Sequence, residues 1–242
     1  MRKNKIYIMF LILFVASKIC AADLGVGISA WYADWKMERK SSTEGGTVNM
    51  DEVLYIGPSI AYQFSDNWST TLVALATPQK YTWEMGTERM ELRRYDVDLA
   101  LNYQINRYIK VFGGGKYLAF AYHNKTNGKD GIHHALGPGG GISFTMPLIT
   151  NVYLLANLSG LYIYGKQQEE QTTGDQSINF YEIGANGSIQ LAYYIPSVAV
   201  TLAAGYRYQY VESHYTENSS ANPDLEHTFK GFTVLLVKSF DL

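Results

Sequence analysis

The chain has 242 residues, 17% of them charged, and its 20 basic and 22 acidic residues give a formal net charge of −2. A weakly acidic chain with no basic stripe does not suit nucleic acid as a partner, and a single cysteine cannot form a disulfide within the chain. Abundant glycine (22) and tyrosine (20), with only 6 prolines, favour a β-barrel.

Residues 1–22 have the layout of a secretory signal peptide. A basic start precedes an apolar run over residues 6–16, and small residues precede a cut after Ala22. The run is too short for a membrane helix, which takes roughly 20 residues. A lipid anchor on Cys20 is the less favoured alternative, because the residues before it do not fit such a site. Removal of 1–22 takes away four basic residues and no acidic ones, so the formal charge moves from −2 to −6.

From residue 23 onward, apolar and polar residues alternate with a period of two, which indicates strands. No apolar stretch in this part is long enough for a membrane helix, and a closed barrel is the other structure that satisfies every backbone group in lipid. The predicted strands are Leu24–Met37, Glu52–Phe64, Trp68–Trp83, Met90–Gln104, Tyr108–Tyr122, His133–Thr145, Val152–Tyr164, Ile178–Tyr194, Val198–Ser213 and His227–Leu242.

The connections between these strands alternate in length. Four are tight turns, at residues 65–67, 105–107, 146–151 and 195–197. The others are mostly longer and polar, at residues 38–50, 84–89, 123–132, 166–177 and 214–226. Short turns at one end and long loops at the other are typical of transmembrane barrels. Five hairpins predict ten strands, with eight or twelve as the alternatives, and place both ends of the segment 23–242 on the same side.

Each predicted strand has one apolar and one polar face, and in a membrane barrel the polar face looks inward. Aromatic residues near the strand ends predict two girdles at headgroup level: Tyr32, Trp68, Tyr81, Trp83, Tyr103, Tyr108, Tyr153, Tyr164, Tyr181, Tyr193 and Tyr210. The last strand ends in an alternating apolar series that Lys238 interrupts: Phe232, Val234, Leu236, Phe240 and Leu242.

Taken together, these features resemble the small outer-membrane β-barrel proteins of Gram-negative bacteria. The resemblance covers residues 23–242 and implies an all-β fold, a closed antiparallel transmembrane β-barrel in the bacterial outer membrane. It implies outer-membrane lipid and lipopolysaccharide as partners, together with the barrel insertion machinery, which would recognise the C-terminal strand. The side chains expected to meet lipopolysaccharide phosphates are Arg39, Lys40, Arg89, Arg93 and Lys166.

Six charged residues fall on inward faces: Arg94, Asp96, Asp98, Lys116, Glu182 and Arg207. One interpretation makes Asp96 and Asp98 a catalytic carboxylate pair, in which like charge raises one pKa. The interpretation we favour is an internal ion network that fills a narrow lumen, with each charge paired because unpaired burial is costly.

Known enzyme motifs are absent from the sequence. Outer-membrane proteases of the omptin type also have ten strands, but they need an acidic pair facing an Asp-x-His arrangement, and no Asp-x-His occurs here. There is also no G-x-S-x-G, no H-E-x-x-H and no motif similar to the His-Ser pair of lipid A deacylases. We therefore expect no catalytic residues and no cofactor.

Two further residue groups have competing interpretations. The five histidines, all predicted near the loops, either bind a transition metal with nearby carboxylates or simply lie at wet loop termini, which we favour: His123, His133, His134, His214 and His227. The glycines of residues 113–115 and 137–141 either form a lateral notch for a lipid tail or permit sharp barrel curvature, which we also favour.

The function predicted from sequence is accordingly non-enzymatic, a structural or surface-interaction barrel with a narrow charged lumen. The alternatives are a narrow pore for small solutes and an outer-membrane enzyme acting on lipid A or peptides. Oligomeric state is not predicted.

Overall fold

The computed structural model describes residues 23–40, 46–85, 88–169, 176–216 and 224–242. The predicted signal peptide, residues 1–22, lies outside the described residues, as do parts of four predicted loops.

The described residues form antiparallel strands and one short turn of 3₁₀ helix, Pro196–Val198. No helix in these ranges is long and apolar enough to cross a membrane. The strands are β1 (Asp23–Lys40), β2 (Gly46–Gln63), β3 (Trp68–Ala76), β4 (Tyr81–Met85), β5 (Glu88–Asn106), β6 (Ile109–Asn124), β7 (Asp130–Ile149), β8 (Val152–Glu169), β9 (Gln176–Ile195), β10 (Val200–Tyr215) and β11 (Asp224–Asp241).

The sheet closes on itself as a barrel. Its strand order is β3-β2-β1-β11-β10-β9-β8-β7-β6-β5-β4, and a further pairing of β3 with β5 completes the ring. Strands β3 and β4 both pair with β5, at Trp68↔Tyr103 to Ala76↔Tyr95 and at Tyr81↔Leu92 to Met85↔Glu88. They are therefore two parts of one interrupted strand, and the predicted ten-stranded barrel is confirmed.

The prediction of one continuous strand over Trp68–Trp83 is wrong. The strand breaks between Ala76 and Tyr81, where Pro78 has no N–H to donate to a ladder. Thr77 bridges the gap to β5: its backbone N–H donates to the Arg94 carbonyl oxygen at 3.1 Å, and its hydroxyl oxygen accepts from the Arg94 N–H at 3.0 Å.

At the end of the barrel with the long connections, the strands extend beyond their predicted bounds. We call this the loop end, and the opposite end, with the tight turns and residues 23 and 242, the turn end. Strand β8 ends at Glu169 instead of Tyr164, and β11 begins at Asp224 instead of His227. Polar loop-like residues conceal these extensions in the sequence, because the added hydrogen bonds come from neighbouring strands and not from local propensity.

An outward-facing apolar band surrounds the half of the barrel next to the turn end. In β1 it runs from Leu24 to Tyr32, and in β11 from Phe232 to Phe240. These lengths match the roughly 9–11 residues that a tilted transmembrane strand needs. Beyond the band, charged residues such as Asp34 on β1 replace the apolar ones.

Several predicted girdle residues lie at the edges of the band with exposed rings, namely Tyr32, Trp68, Tyr103, Tyr108, Tyr164 and Tyr193. Tyr81 does not belong to them. Its ring lies inside the barrel, 5.6 Å from the ring of Trp35, so its assignment to a girdle is wrong.

Glycines on β6 and β7 allow neighbouring backbones to approach closely. A Cβ built on Gly114 would lie 1.9 Å from the Leu99 carbonyl oxygen, and one on Gly141 would lie 2.1 Å from the Leu158 carbonyl oxygen. Contacts of this kind explain why a side chain cannot be accommodated at these two positions without a shift of the neighbouring backbone.

We expect Gly114→Ala to destabilise the barrel by about 1–3 kcal/mol, the usual cost of overpacking. The matched control is Gly113→Ala on the same strand, because a Cβ there has no neighbour nearer than 4.0 Å. Urea unfolding of the protein in lipid vesicles, followed by tryptophan fluorescence, measures both changes. Equal stability of the two variants would contradict the close-approach explanation.

Candidate functional site

The interior of the barrel near the loop end is filled by two packed apolar clusters, which we together call the plug. The first contains Trp31, Ala33, Trp35, Met37, Val53, Tyr55, Leu75, Leu92, Phe120 and Phe229. The second contains Leu118, Ala135, Leu161, Ile163, Ile178, Phe180, Val211 and Tyr215. Leu225 packs against both clusters. The prediction of a uniformly polar inward face is therefore wrong for this part of the barrel.

Ring stacking makes the plug compact. The Trp35 ring lies 5.0 Å from the Phe229 ring and 5.1 Å from the Phe120 ring, measured between centroids. The Trp31 ring stacks on the Tyr55 ring at 5.3 Å. Trp31 is 1% exposed and Tyr55 is fully buried, so no water-filled path passes between these side chains.

Two histidines belong to the plug, and their assignment to wet loop termini is wrong. His133 Nε2 lies 3.1 Å from a Glu182 carboxylate oxygen, and its ring stacks on Phe180 at 3.9 Å. The Trp35 indole N–H donates to His227 Nδ1 at 3.2 Å. The sequence contained a signal for this inward placement. His133 is two positions from the inward Ala135, and His227 is two positions from the inward Phe229, so strand alternation places each pair on the same face.

Below the plug, toward the turn end, lies a layer of ion pairs that we call the charge layer: Arg94, Asp96, Asp98 and Lys116. The Lys116 ammonium donates to Asp96 at 2.5 Å and to Asp98 at 2.8 Å, and the Arg94 guanidinium donates to Asp96 at 3.2 Å. The register explains the central pair, since Asp98 stands directly opposite Lys116 on β5 and β6.

Arg94 links the charge layer to the plug. Its side chain is fully buried, and its guanidinium carbon lies 3.8 Å from the centroid of the Phe229 ring. Its Nε and Nη1 atoms have no hydrogen-bond partner in the described part of the chain. The cation therefore gains stabilisation from one carboxylate and from an aromatic face.

Glu182 and Arg207, the other two residues of the predicted network of six charges, make their direct contacts outside the charge layer. Glu182 accepts from the Ser213 hydroxyl at 2.8 Å and contacts His133. The Arg207 guanidinium donates to Asn186 Oδ1 at 2.8 Å and lies 4.3 Å from the Trp31 ring centroid. Both residues face inward as predicted, but their partners are neutral groups and a histidine that lie on other strands.

The inner wall between the charge layer and the turn end carries small polar side chains that are partly exposed. We call this space the vestibule, and its walls include Ser69, Thr71, Asn102, Ser143, Asn157, Ser159, Asn186, Ser188, Gln190 and Thr201. Most of these side chains are shorter than the aromatic rings of the plug. The Asp98 side chain, 41% exposed, borders it.

The described residues contain no group of three or more His, Cys, Asp or Glu side chains that could hold a metal ion. Nearer the loop end, His123 pairs with Asp130 at 2.8 Å and His214 with Asp224 at 3.0 Å. Asp96 and Asp98, the candidate catalytic pair, are bound to the same lysine, and Asp96 is 1% exposed. A substrate entering from the loop end would have to cross the plug to reach them.

Comparison with known proteins gives no match in sequence: no protein-family model matches the chain, and no curated protein matches it. Among solved structures, the outer membrane protease OmpT from Escherichia coli is similar with a TM-score of 0.61 and 10% identity, over 91% of this chain and 97% of OmpT. The translocator domain of the autotransporter NalP from Neisseria meningitidis is similar with a TM-score of 0.47 and 9% identity, over 97% of this chain and 94% of the NalP chain. The attachment invasion locus protein Ail of Yersinia pestis is similar with a TM-score of 0.39 and 12% identity, over 90% of this chain and 99% of the Ail chain.

The fold is thus that of the closed β-barrels of bacterial outer membranes. Of the three structures, OmpT has a TM-score above 0.5, and at 10% identity this likeness shows the fold alone.

We expect Lys116→Met to destabilise the protein by about 3–5 kcal/mol, because it leaves Asp96 buried with one cation fewer. The matched control is Lys80→Met, which removes an exposed lysine that pairs with Glu91 at 3.0 Å and should cost at most about 1 kcal/mol. Urea unfolding in vesicles measures both. In addition, the double variant Asp96→Asn/Lys116→Met should lose less free energy of unfolding than the two single variants lose in sum. A loss equal to that sum would show that the two side chains do not interact.

Proposed function

We propose that the protein is a non-enzymatic outer-membrane barrel that is closed to solutes and presents its loop end to the exterior of the cell. The observation that carries this proposal is the plug. The rings of Trp31, Trp35 and Phe229 pack against one another there, and each is at most 2% exposed. A lumen filled in this way has no path for a hydrated ion.

The orientation follows from the unequal ends of the barrel. Bacterial barrels place short turns in the periplasm and long loops outside, so the vestibule opens to the periplasm and the plug lies toward the exterior. The strand ends beyond the apolar band, such as 34–40 of β1 and 224–231 of β11, then project from the outer leaflet. This projecting collar supplies the surface for a structural or surface-interaction role.

The chemistry of the interior supports a non-enzymatic role. The carboxylates of Asp96 and Asp98 both bind the Lys116 ammonium, an arrangement that stabilises buried charge as an internal ion pair. OmpT is a protease by its name, but this chain lacks an Asp-x-His, and its 10% identity to OmpT transfers no activity.

The last strand supports recognition by the barrel insertion machinery as part of the same proposal. Its outward side chains Phe232, Leu236 and Phe240 are exposed on β11, and the strand lies beside β1 at the closure of the barrel. Lys238 interrupts the apolar series, but its ammonium lies 5.6 Å from the Phe240 ring centroid, which keeps the charge next to an aromatic face at the turn end.

Conductance in a planar bilayer tests the closed state. We expect no unitary steps from the refolded protein, because the plug excludes a water column. The double variant Trp35→Ala/Phe229→Ala should introduce steps by removing two stacked rings, whereas Leu202→Ala/Leu236→Ala on the outward face should remain silent. Folding of every variant is checked by heat-modifiable migration on gels.

Steady steps from the parent protein that Arg207→Ala enlarges would overturn the proposal and establish the narrow pore.

The surface-interaction role has its own test, in which residues 170–175 and 217–223, outside the described strands, are replaced by short Gly-Ser linkers. Host-surface or matrix adhesion of cells displaying the protein should fall while heat-modifiable migration is kept. Unchanged adhesion would contradict the surface-interaction role, and the structural role would remain as the proposed function.

A further inference from the structure

Two cations face the inside of the barrel on the turn-end side of the plug without a carboxylate partner. Arg207 on β10 and Lys110 on β6 lie on inward faces, in phase with the buried Gln209 and Lys116. Neither cation has a carboxylate oxygen within 4.0 Å in the described part of the chain. In contrast, Lys116 binds two carboxylates and Arg94 binds one.

Arg207 lies where the vestibule meets the plug. Its guanidinium carbon is 4.3 Å from the centroid of the Trp31 ring. It donates from Nε to Asn186 Oδ1 at 2.8 Å and from Nη2 to Gln209 Oε1 at 3.3 Å. All three neighbours are electrically neutral, so these contacts do not compensate the positive charge. Arg207 is half-buried, and because its side chain faces inward, the exposed part of that side chain lies inside the barrel.

Hydrogen-bond donors lack acceptors beside Arg207. The Trp31 indole nitrogen and the Gln209 amide nitrogen are buried and have no hydrogen-bond partner among the described residues. The amide oxygens of Gln209 and Asn186 already accept from Arg207. Buried donors without an acceptor are rare, because the lost hydrogen bond to water is costly. This region therefore lacks a group with acceptor oxygens, and the uncompensated cation favours a negatively charged one.

The carboxylates in and near the charge layer do not compensate Arg207. Asp96 acts on it electrostatically from beyond 4.0 Å, but Asp96 and Asp98 both bind the Lys116 ammonium. Glu182 lies six positions toward the loop end from the residue of β9 that stands opposite Arg207. At about 3.3 Å per position this separation is roughly 20 Å, too far for an ion pair.

A continuous row of inward polar side chains connects the two cations. Each member stands directly opposite the next on the neighbouring strand, in the order Lys110, Ser143, Asn157, Ser188 and Arg207. The Ser143 hydroxyl donates to Asn157 Oδ1 at 2.5 Å, and Asn157 Nδ2 donates to Ser188 Oγ at 3.3 Å. We call this row the polar track.

The polar track leads from the turn end to the plug. Lys110 is the second residue of β6, beside the turn end, whereas Arg207 contacts Trp31 of the plug. Four strand spacings give the track a length of roughly 19 Å along the wall. Its five members are all partly exposed, and their exposed parts face the inside of the barrel. Solvent therefore reaches the track along its length.

We propose that the polar track binds a small organic carboxylate that enters from the turn end. The remaining N–H groups of Arg207 bind the carboxylate, because a guanidinium forms a planar fork that matches its two oxygens. One guanidinium compensates one negative charge, which favours a monocarboxylate over a phosphate dianion. Asn157 and Ser188 hydrogen-bond the next polar groups of the solute, and Lys110 attracts the anion at the entrance. Sugar acids and short peptides share this chemistry.

The site adds a binding function to the closed barrel and does not depend on the surface-interaction role. Because the buried rings of Trp31 and Trp35 lie beyond Arg207, a solute on the track leaves by the end through which it entered. The track is therefore a site for binding and not a route for permeation.

Titration of the refolded protein in detergent micelles, where buffer reaches both ends of the barrel, tests this binding. Tryptophan fluorescence is the signal, because Trp31 lies against Arg207. The probes are gluconate and N-acetyl-Ala-Ala, and their uncharged counterparts are glucitol and N-acetyl-Ala-Ala amide. We expect saturable binding of a carboxylate and none of its counterpart, and the carboxylate that binds identifies a sugar acid or a peptide as the source. Failure of both carboxylates, or an equal response to sodium chloride, would overturn the proposal.

Removal of either cation should weaken binding. Arg207→Gln should raise the Kd of the carboxylate at least about tenfold, since charge-assisted hydrogen bonds are lost. Lys110→Gln should raise it by a smaller factor, because Lys110 acts at the entrance. The matched control is Lys36→Gln, which removes an exposed lysine that pairs with Glu38 near the loop end and should bind like the parent. An unchanged Kd for Arg207→Gln would contradict the assignment.

A carboxylate built into the wall provides a second test, which also applies if Arg207→Gln does not fold. Ser188→Asp places an anion directly opposite Arg207 and supplies the missing ion pair. It should fold and abolish carboxylate binding. Ser188→Asn, which adds no charge, should weaken binding much less than Ser188→Asp does. Equal binding by Ser188→Asp and the parent protein would show that Arg207 does not receive the anion.

Discussion

Closure of the backbone ladder is the constraint on which the rest of this structure depends. Within lipid no water is present to satisfy an unpaired N–H or C=O group, so each strand needs two neighbours. Pairing of β1 with β11 joins the first and the last strand, and pairing of β3 with β5 closes the opposite side across the interruption at residues 77–80. Thr77 preserves hydrogen bonding there through its own side chain.

Closure creates an interior that the side chains must fill or leave to water, and this barrel does both. Near the loop end, large rings from β1, β6 and β11 contact one another inside the barrel. Near the turn end, partly exposed serine, threonine and asparagine side chains line the vestibule. Arg94 lies at the boundary, since it binds Asp96 on one side and Phe229 on the other. A buried guanidinium suits this position because it accepts both an ion pair and an aromatic face.

The outer surface changes from apolar to charged along the strands, and its charged part differs from one side of the barrel to the other. The apolar band is continuous, but the charged collar beyond it is not uniform. Ion pairs such as Lys40–Glu212 neutralise one side, while Arg93, His134 and Lys166 have no carboxylate partner in the described strands. The difference arises from register, because it decides which charges stand beside one another on adjacent strands.

Much of the fold was predictable from the sequence. Alternation with a period of two, together with alternating short and long connections, predicted ten strands, their approximate bounds and the outward apolar face. Each of these depends on a pattern within one strand or between consecutive strands. Inward placement of Asp96, Asp98 and Lys116 was predictable for the same reason, since parity along a strand decides the face.

The candidate site was less predictable, because its contacts join strands that are distant in the chain. Trp35 and His227 are 192 positions apart, and His133 meets Glu182 across 49. The sequence alone determined a transmembrane barrel with charged residues inside, since local alternation decides which side chains face inward. Only the tertiary structure decided that aromatic rings pack together near the loop end, and that Glu182 and Arg207 make their direct contacts away from the charge layer. Ring closure and register set those distances, and neither is a local property of the chain.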